Sequence, residues 1–234
     1  MTRNIEHDIT DFGLQPKRYE QLVSLLRRFD RPLTIVSAAS HNGCEPLTLA
    51  MHLVDQNIDA RIIAHDGRTD RYPVLSTAEY LKTEVDMDFK LDRLPPRFRR
   101  FFVPTEDPER WAMHPEIRAR VTYPGVRRLP YAGIEPADVY LLRNLWIHIH
   151  PEERIEVVRR LHDAMPADGI ISVRTAHPDE VRRTADALDR DRYYLWSRPH
   201  ADAAARLQDA PLEPARDPLY AKWHGKRRPR KDLA

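Results

Sequence analysis

The chain has 234 residues, of which 41% are hydrophobic and 32% are charged. This composition is typical of a folded domain and excludes wholesale disorder. The 38 basic residues nearly cancel the 36 acidic ones, so the net charge is only +2. A charge this small argues against a dedicated nucleic-acid-binding protein.

The single cysteine, Cys44, excludes an internal disulfide and a multi-cysteine zinc site, and it favours a reducing compartment. No apolar run approaches the length of a membrane span, and the first ten residues lack the apolar core of a signal peptide. We therefore expect a cytoplasmic protein without a membrane partner. The oligomeric state stays open.

A basic tail closes the sequence, because six of the ten residues from Lys222 to Lys231 are Lys or Arg. We interpret it as a solvated, frayed terminus rather than a contact with nucleic acid or membrane.

The first half of the chain alternates helical and strand patterns. Residues Lys17–Phe29 have the apolar spacing of an amphipathic helix, and Leu33–Val36 is a short β-branched run typical of a buried strand. A loop of small and polar residues follows, and then a helical pattern from Leu47. Asp59–Ala64 predicts the next buried strand, which completes a βαβ unit.

The middle, residues 72–130, is rich in proline, and we predict only two helical fragments there, Leu75–Thr83 and His114–Arg120. Afterwards the alternation resumes. The predicted elements are a strand at Asp138–Leu142, a helix at Glu152–Ala164, a strand at Gly169–Val173, a helix at His177–Leu188 and a last strand at Tyr193–Trp196.

These elements predict an α/β fold of the Rossmann-like type, with a mostly parallel sheet and helices on both faces. We expect an N-terminal helical segment over residues 1–30, the ligand-binding domain over 31–200, and an irregular basic tail over 201–234.

Ligands of such sheets bind beyond the carboxyl ends of the strands. The loop Ser37–Gly43 is small enough for a ligand to approach its backbone, and Asp66 after the second strand can accept hydrogen bonds from ribose hydroxyls. No G-x-G-x-x-G is present, and Glu45 at the helix start would repel a pyrophosphate. Glu45 suits a cationic ligand, or it is simply a first-turn residue that complements the helix dipole.

The motifs resemble those of the CheR-type chemotaxis receptor methyltransferases. Residues 37–51, SAASHNGCEPLTLAM, are similar without a gap to the family's S-A-x-x-S-T-G-E-E-P-Y-S-L-A-M, and IIAHD is similar to its I-x-A-T-D. The segment from Asp138, DVYLLRNLWIHI, resembles F-D-L-I-F-C-R-N-V-L-I-Y-F. The resemblance covers residues 10–173 and implies a class I methyltransferase fold with S-adenosylmethionine as cofactor.

By this resemblance Glu45 holds the methionine ammonium, Asp66 holds the ribose, and Arg127 lies near the adenine. Arg143 and His148 are the candidate catalytic residues, the first orienting a carboxylate and the second acting as a base or orienting group. No metal site is expected. The cofactor-binding residues predicted are Ser37, Ala38, Ala39, Gly43, Glu45, Asp66, Arg127, Leu142 and Arg143.

The sequence departs from the family on the substrate side. Leu14 stands where the family has an arginine, His148 replaces a tyrosine, and the family's N-terminal helical domain is missing because the sequence begins almost at Thr10. We therefore expect the methyl acceptor to be a small molecule or a free amino acid, with a carboxylate, amine or guanidine group. The alternatives are a protein side chain of the glutamate type, or cofactor binding without catalysis.

Overall fold

A computed structural model describes residues 12, 16–67, 72–81, 94–125, 133–143, 145–173 and 193–196. The helices are α1 (Pro16–Leu26), α2 (Cys44–Asp55), α3 (Tyr72–Thr77), α4 (Pro115–Arg118) and α5 (Arg154–Ala164). The strands are β1 (Leu33–Ala38), β2 (Ala60–His65), β3 (Glu79–Leu81), β4 (Phe102–Pro104), β5 (Arg110–Met113), β6 (Val121–Thr122), β7 (Val139–Leu141), β8 (Ile170–Val173) and β9 (Tyr193–Trp196). Short 3₁₀ turns occupy Pro96–Phe101, Trp146–His148 and Pro151–Glu153.

Six strands form one sheet in the order β6-β2-β1-β7-β8-β9, and every neighbouring pair is parallel. The predicted Rossmann-like α/β fold is confirmed. Successive strands run outward from β1 to one edge and from β7 to the other, so the strand order reverses between β1 and β7. The crevice for a ligand in this fold opens at that reversal.

Both faces of the sheet are buried, which explains the continuous apolar runs in the sequence. Ile35, Val139 and Ile170 face one core cluster, together with α1 and α2. Their chain neighbours Val36 and Tyr140 face the second cluster, which α5 covers. Helices therefore pack on the two sides, as predicted.

The strands predicted at residues 33–36, 59–64, 138–142, 169–173 and 193–196 are all present within two residues of their predicted bounds. The helix α2 begins at Cys44, three residues earlier than the helical pattern indicated. The predicted helix His177–Leu188 and the tail 201–234 lie outside the described residues. The domain boundaries stay a prediction.

A second sheet, β3-β5-β4, is antiparallel and was not predicted. The prediction of one helix over Leu75–Thr83 is wrong, because α3 ends at Thr77 and the chain turns at Ala78 with φ of 53°. The next residues pair with β5, so tertiary strand pairing overrides the local helical pattern.

None of the helices in the described ranges is long and apolar enough to cross a membrane. Localisation in the cytoplasm stays a prediction.

His52 lies on the side of the sheet where the first core cluster packs, and its ring contacts two aromatic rings. Its imidazole stacks on Tyr19 at 5.5 Å and meets the edge of Phe98 at 4.6 Å. Burial, and then the charge of Arg97, lower the pKa of His52 to about 4, although Asp55 acts in the opposite direction. The folded protein therefore holds this histidine neutral at neutral pH.

We predict that this histidine lowers the free energy of unfolding as pH falls from about 6.5 to about 4. In that pH window His52 binds a proton in the unfolded chain but stays neutral in the folded protein. Lowering the pH therefore favours unfolding. Urea unfolding of the wild type and of His52→Gln across this range measures the difference, and the variant should show the shallower pH dependence. Equal slopes would contradict the prediction.

Candidate active site

The candidate site lies at the carboxyl edge of the parallel sheet, beyond the ends of the neighbouring strands β1 and β7. β1 leads into the loop 39–43, which in turn starts α2. β2 ends next to Asp66, and β7 leads through Leu142 to Arg143. The motif residues Glu45, Asp66 and Arg143 are therefore brought to one edge by three adjacent strands.

The loop after β1 has an unusual backbone. Ala39 and His41 have φ of 57° and 52°, in the left-handed region that residues with a Cβ rarely adopt. The Ser40 amide donates to the His65 carbonyl at 2.9 Å, and the Gly43 amide donates to the Ser40 carbonyl at 2.8 Å. Backbone of this kind is concentrated at functional sites, where surrounding contacts hold it in place.

Gly43 is the position of this loop where no side chain fits. Its φ is 88°, and an added Cβ would lie 2.8 Å from the Tyr123 hydroxyl and 3.1 Å from that of Tyr80. The Tyr80 hydroxyl donates to the Asn42 carbonyl at 2.7 Å, which fixes this wall of the loop. The predicted need for glycine is explained by both the backbone angle and the two tyrosines.

A cleft of about 360 Å³ lies behind this wall, between α2, α3 and α4. Tyr123 and Leu75 line it and also face Gly43. The buried Tyr123 hydroxyl has no hydrogen-bond partner within the described residues. This cleft adjoins the loop but contains none of the predicted site residues.

Glu45 is a buried carboxylate in the first turn of α2, with 5% of its surface exposed. The Ser37 hydroxyl donates to its Oε1 at 3.2 Å, and Arg143 Nε lies 3.7 Å from its Oε2. Burial raises the pKa of Glu45, while Arg143 and Ser37 act to lower it. A cation brought beside this carboxylate would further favour its charged form.

Arg143 is buried as well, with 6% of its surface exposed. Its guanidinium lies over the ring of Tyr19, with Cζ 4.8 Å from the ring centroid. Burying a cation and an anion together is costly, so such a pair is informative about what else the site binds. Together, Glu45 and Arg143 offer an anion and a cation to a zwitterionic amino-acid group.

Asp66 follows β2 directly and is 8% exposed. Its Oδ2 accepts a hydrogen bond from the His41 amide at 2.6 Å. The carboxylate is thereby tied to the loop between β1 and α2, the helix that carries Glu45 in its first turn. The structure thus brings both predicted acidic residues to one loop, from its two sides.

The other predicted residues have different surroundings. Ser37 and Ala38 are buried in β1, where only Ser37 has a polar contact with Glu45. Leu142 packs in the second core cluster. His148 is exposed on the 3₁₀ turn that follows Arg143, whereas its neighbour Trp146 is fully buried.

Leu14 and Arg127 lie outside the described residues. Among the residues that the structure does describe, no group of three or more His, Cys, Asp or Glu side chains is arranged to hold a metal ion.

Sequence reasoning missed the tyrosines at the site, Tyr19, Tyr80 and Tyr123. Tyr19 has the spacing of an ordinary core residue of α1, and the other two follow irregular proline-rich sequence. Their contacts with residues 42, 43 and 143 are non-local, so no pattern along the chain indicates them.

Comparison with known proteins gives a family match. Residues 14–186 match the family described as CheR methyltransferase, SAM binding domain. Two curated relatives are Chemotaxis protein methyltransferase Cher2 of Pseudomonas putida and Chemotaxis protein methyltransferase 1 of Pseudomonas aeruginosa. Each is 27% identical over an alignment of 148 positions, and the alignment covers 59% of this chain and 52% of the relative. The chain thus spans about half the length of the curated relatives it matches.

Among solved structures, a precorrin-6Y C5,15-methyltransferase from Geobacter metallireducens aligns with a TM-score of 0.41 at 12% identity. The alignment covers 81% of this chain and 78% of that protein. The predicted resemblance to the CheR type is confirmed by the family match, and so is the cofactor, S-adenosylmethionine.

The prediction of a small-molecule partner is wrong. The relatives are named chemotaxis protein methyltransferases, and this contradicts it. The prediction depended on the position at which the sequence begins, which carries no chemical information about the methyl acceptor.

The residues of the site fit a sulfonium nucleoside. Glu45 and Asp66 are acidic, as a ligand with an ammonium, a sulfonium and ribose hydroxyls requires. The missing side chain at Gly43 makes room for the Tyr123 and Tyr80 hydroxyls beside the loop.

We predict that Gly43→Ala destabilises the fold, because the left-handed backbone costs about 1–2 kcal/mol for a residue with a Cβ and the tyrosine contacts add overpacking. Gly133→Ala is the matched control, since Gly133 has no atom within 4 Å of an added Cβ. Urea unfolding measures both variants. A Gly43→Ala loss no larger than that of Gly133→Ala would contradict the steric account.

Proposed function

Because this chain belongs to the CheR family of S-adenosylmethionine-dependent methyltransferases, we propose that it esterifies a carboxylate side chain of a protein. The activity that the CheR resemblance implies is the methylation of glutamates, and the relatives' names agree with a role in chemotaxis. The observation that carries the proposal is the buried pair of Glu45 and Arg143 at the strand-order reversal.

In this proposal Glu45 and Arg143 hold the amino-acid end of the cofactor. Glu45 accepts hydrogen bonds from the ammonium group, and Arg143 donates to the α-carboxylate beside it. Ser37 keeps the Glu45 carboxylate oriented through its hydroxyl at 3.2 Å. The two side chains thus match both charges of one zwitterion.

Asp66 holds the other end, where its carboxylate accepts from the ribose hydroxyls while the His41 amide fixes its orientation. When bound, the cofactor supplies an electrophilic methyl group on a sulfonium, which an in-line nucleophile accepts. The chain's own task is therefore to hold this end of the nucleoside in a fixed position.

A carboxylate acceptor is already ionised at neutral pH, so the reaction needs no general base. This suits a site whose candidate base, His148, lies exposed on a 3₁₀ turn. In the proposal His148 contacts the incoming acceptor segment and orients it, without taking a proton.

We predict that methyl label from S-adenosylmethionine enters macromolecules of the source cells as base-labile esters. Extract is divided by filtration into macromolecular and low-mass fractions, and each is incubated with the chain and methyl-labelled cofactor. Mild alkali should release the label of the macromolecular fraction as volatile methanol, because an ester hydrolyses where an N-methyl group does not. Asp66→Asn is the inactive control.

Label confined to the low-mass fraction, or label that survives alkali, would contradict the proposed acceptor. Either result leaves the family membership and the cofactor untouched.

The roles of the two acidic residues predict different ligand selectivities. Glu45→Gln should weaken S-adenosylhomocysteine binding by about 10- to 100-fold, since it removes a charge-assisted hydrogen bond, and leave 5′-methylthioadenosine, which lacks the amino-acid group, unaffected. Asp66→Asn should weaken both nucleosides, because both carry the ribose. Calorimetric titration measures the four affinities.

Glu116→Gln on the exposed side of α4 is the matched control and should change neither affinity. Equal losses for both nucleosides in Glu45→Gln, or none in Asp66→Asn, would refute the assigned roles.

A further inference from the structure

We propose that Tyr19 of α1 is a positioning residue for methyl transfer, which holds the Arg143 guanidinium in the plane where it can bind the cofactor's carboxylate. The inference rests on the proposed function and deepens it. It assigns to the cofactor site a residue from the helix that precedes the βαβ unit.

The first support is the stacking of Arg143 on Tyr19. Arg143 Cζ lies 4.8 Å from the centroid of the Tyr19 ring, within the range of a cation–π interaction. The ion pair with Glu45 measures 3.7 Å, which is longer than a hydrogen bond and leaves the rotation of the guanidinium plane unspecified. The Tyr19 ring beneath the guanidinium constrains that rotation, and the Tyr19 side chain also forms a hydrogen bond with Arg143.

The second support is that the ring is buried and packed against other aromatic rings. Tyr19 is 2% exposed, and its ring stacks on His52 with the two ring planes only 11° apart. His52 in turn meets the edge of Phe98 at 4.6 Å with the planes 87° apart. This column of side chains, from Phe98 to Arg143, therefore connects the 3₁₀ turn Pro96–Phe101, α2, α1 and the segment that follows β7.

The charges along this column agree with the role. The low pKa of His52, about 4, keeps its ring neutral, so it adds no second cation next to Arg143. Burial raises the pKa of Tyr19 although Arg143 acts to lower it, so the phenol also stays neutral. Arg143 is then the cation that lies over the Tyr19 ring, and Glu45 is its charged neighbour.

We expect the loss of the Tyr19 contact to weaken cofactor binding more than it slows the chemical step. The contact between Arg143 and the carboxylate exists equally in the ground state and the transition state, so losing it raises KM and leaves kcat nearly unchanged. A merely structural tyrosine would instead change stability and affect every ligand alike.

The test compares Tyr19→Leu, which removes the π face, with Tyr19→Phe, which keeps it. We expect Tyr19→Leu to weaken S-adenosylhomocysteine binding about tenfold while 5′-methylthioadenosine binds as before, as loss of a desolvated cation–π contact implies. The KM for S-adenosylmethionine should rise by about the same factor with kcat within about twofold. Tyr19→Phe should restore all three values to within about threefold of the wild type.

Val158→Ala on α5 is the matched control, because Val158 is fully buried on the opposite face of the sheet. It should lower the free energy of unfolding without changing the ratio of the two affinities. If Tyr19→Leu does not fold, Tyr19→Met takes its place, since methionine fills the space without a π face.

Equal weakening of both nucleosides in Tyr19→Leu, or no weakening of either, would overturn the inference. If Glu45→Gln is selective between the nucleosides and Tyr19→Leu is not, only the role of Tyr19 fails. If neither variant is selective, the proposed function fails with it.

Discussion

The burial of one anion and one cation side by side, Glu45 and Arg143, is the constraint on which the site depends. Neither side chain is more than 7% exposed, and Arg143 Nε lies 3.7 Å from Glu45 Oε2. Removing one partner of such a pair leaves an uncompensated buried charge, at a cost of about 3–5 kcal/mol. Two apolar residues in place of the pair would give a fold at least as stable, so stability does not explain the charges. A charged ligand explains them best.

The fold places this pair at the ligand crevice through strand order. Glu45 follows β1 and Arg143 follows β7, and the reversal of the sheet between these strands opens the space beyond them. The small antiparallel sheet takes part as well, since Tyr80 of β3 donates to the carbonyl of Asn42 and borders Gly43. A segment inserted after β2 thus supports the loop that both acidic residues border.

The sequence predicts what is local and periodic. Strands such as Leu33–Ala38 and Ile170–Val173 are continuous apolar runs because both faces of the sheet are buried, so they are found within two residues of their bounds. The acidic residues Glu45 and Asp66 are found because each lies at a fixed short distance after a strand, within a motif. Their surroundings, including the left-handed Ala39 and His41, are invisible at that level.

What the sequence does not predict is set by contacts between distant segments. The three-stranded sheet has strands of three or four residues, and the paired residues of β3 and β5 lie more than twenty positions apart in the sequence. Tyr19 has the pattern of any core residue of an amphipathic helix, and only the fold brings it to Arg143. The acceptor was predicted from where the sequence begins, which is not a physical property of the site.

A crystal structure of the full chain with S-adenosylhomocysteine tests the central claim most directly. In that complex we expect the Glu45 carboxylate within hydrogen-bond distance of the ligand's ammonium and the Asp66 carboxylate within that distance of both ribose hydroxyls. A complex in which the nucleoside lies elsewhere, or in which the two carboxylates point away from it, would contradict the account.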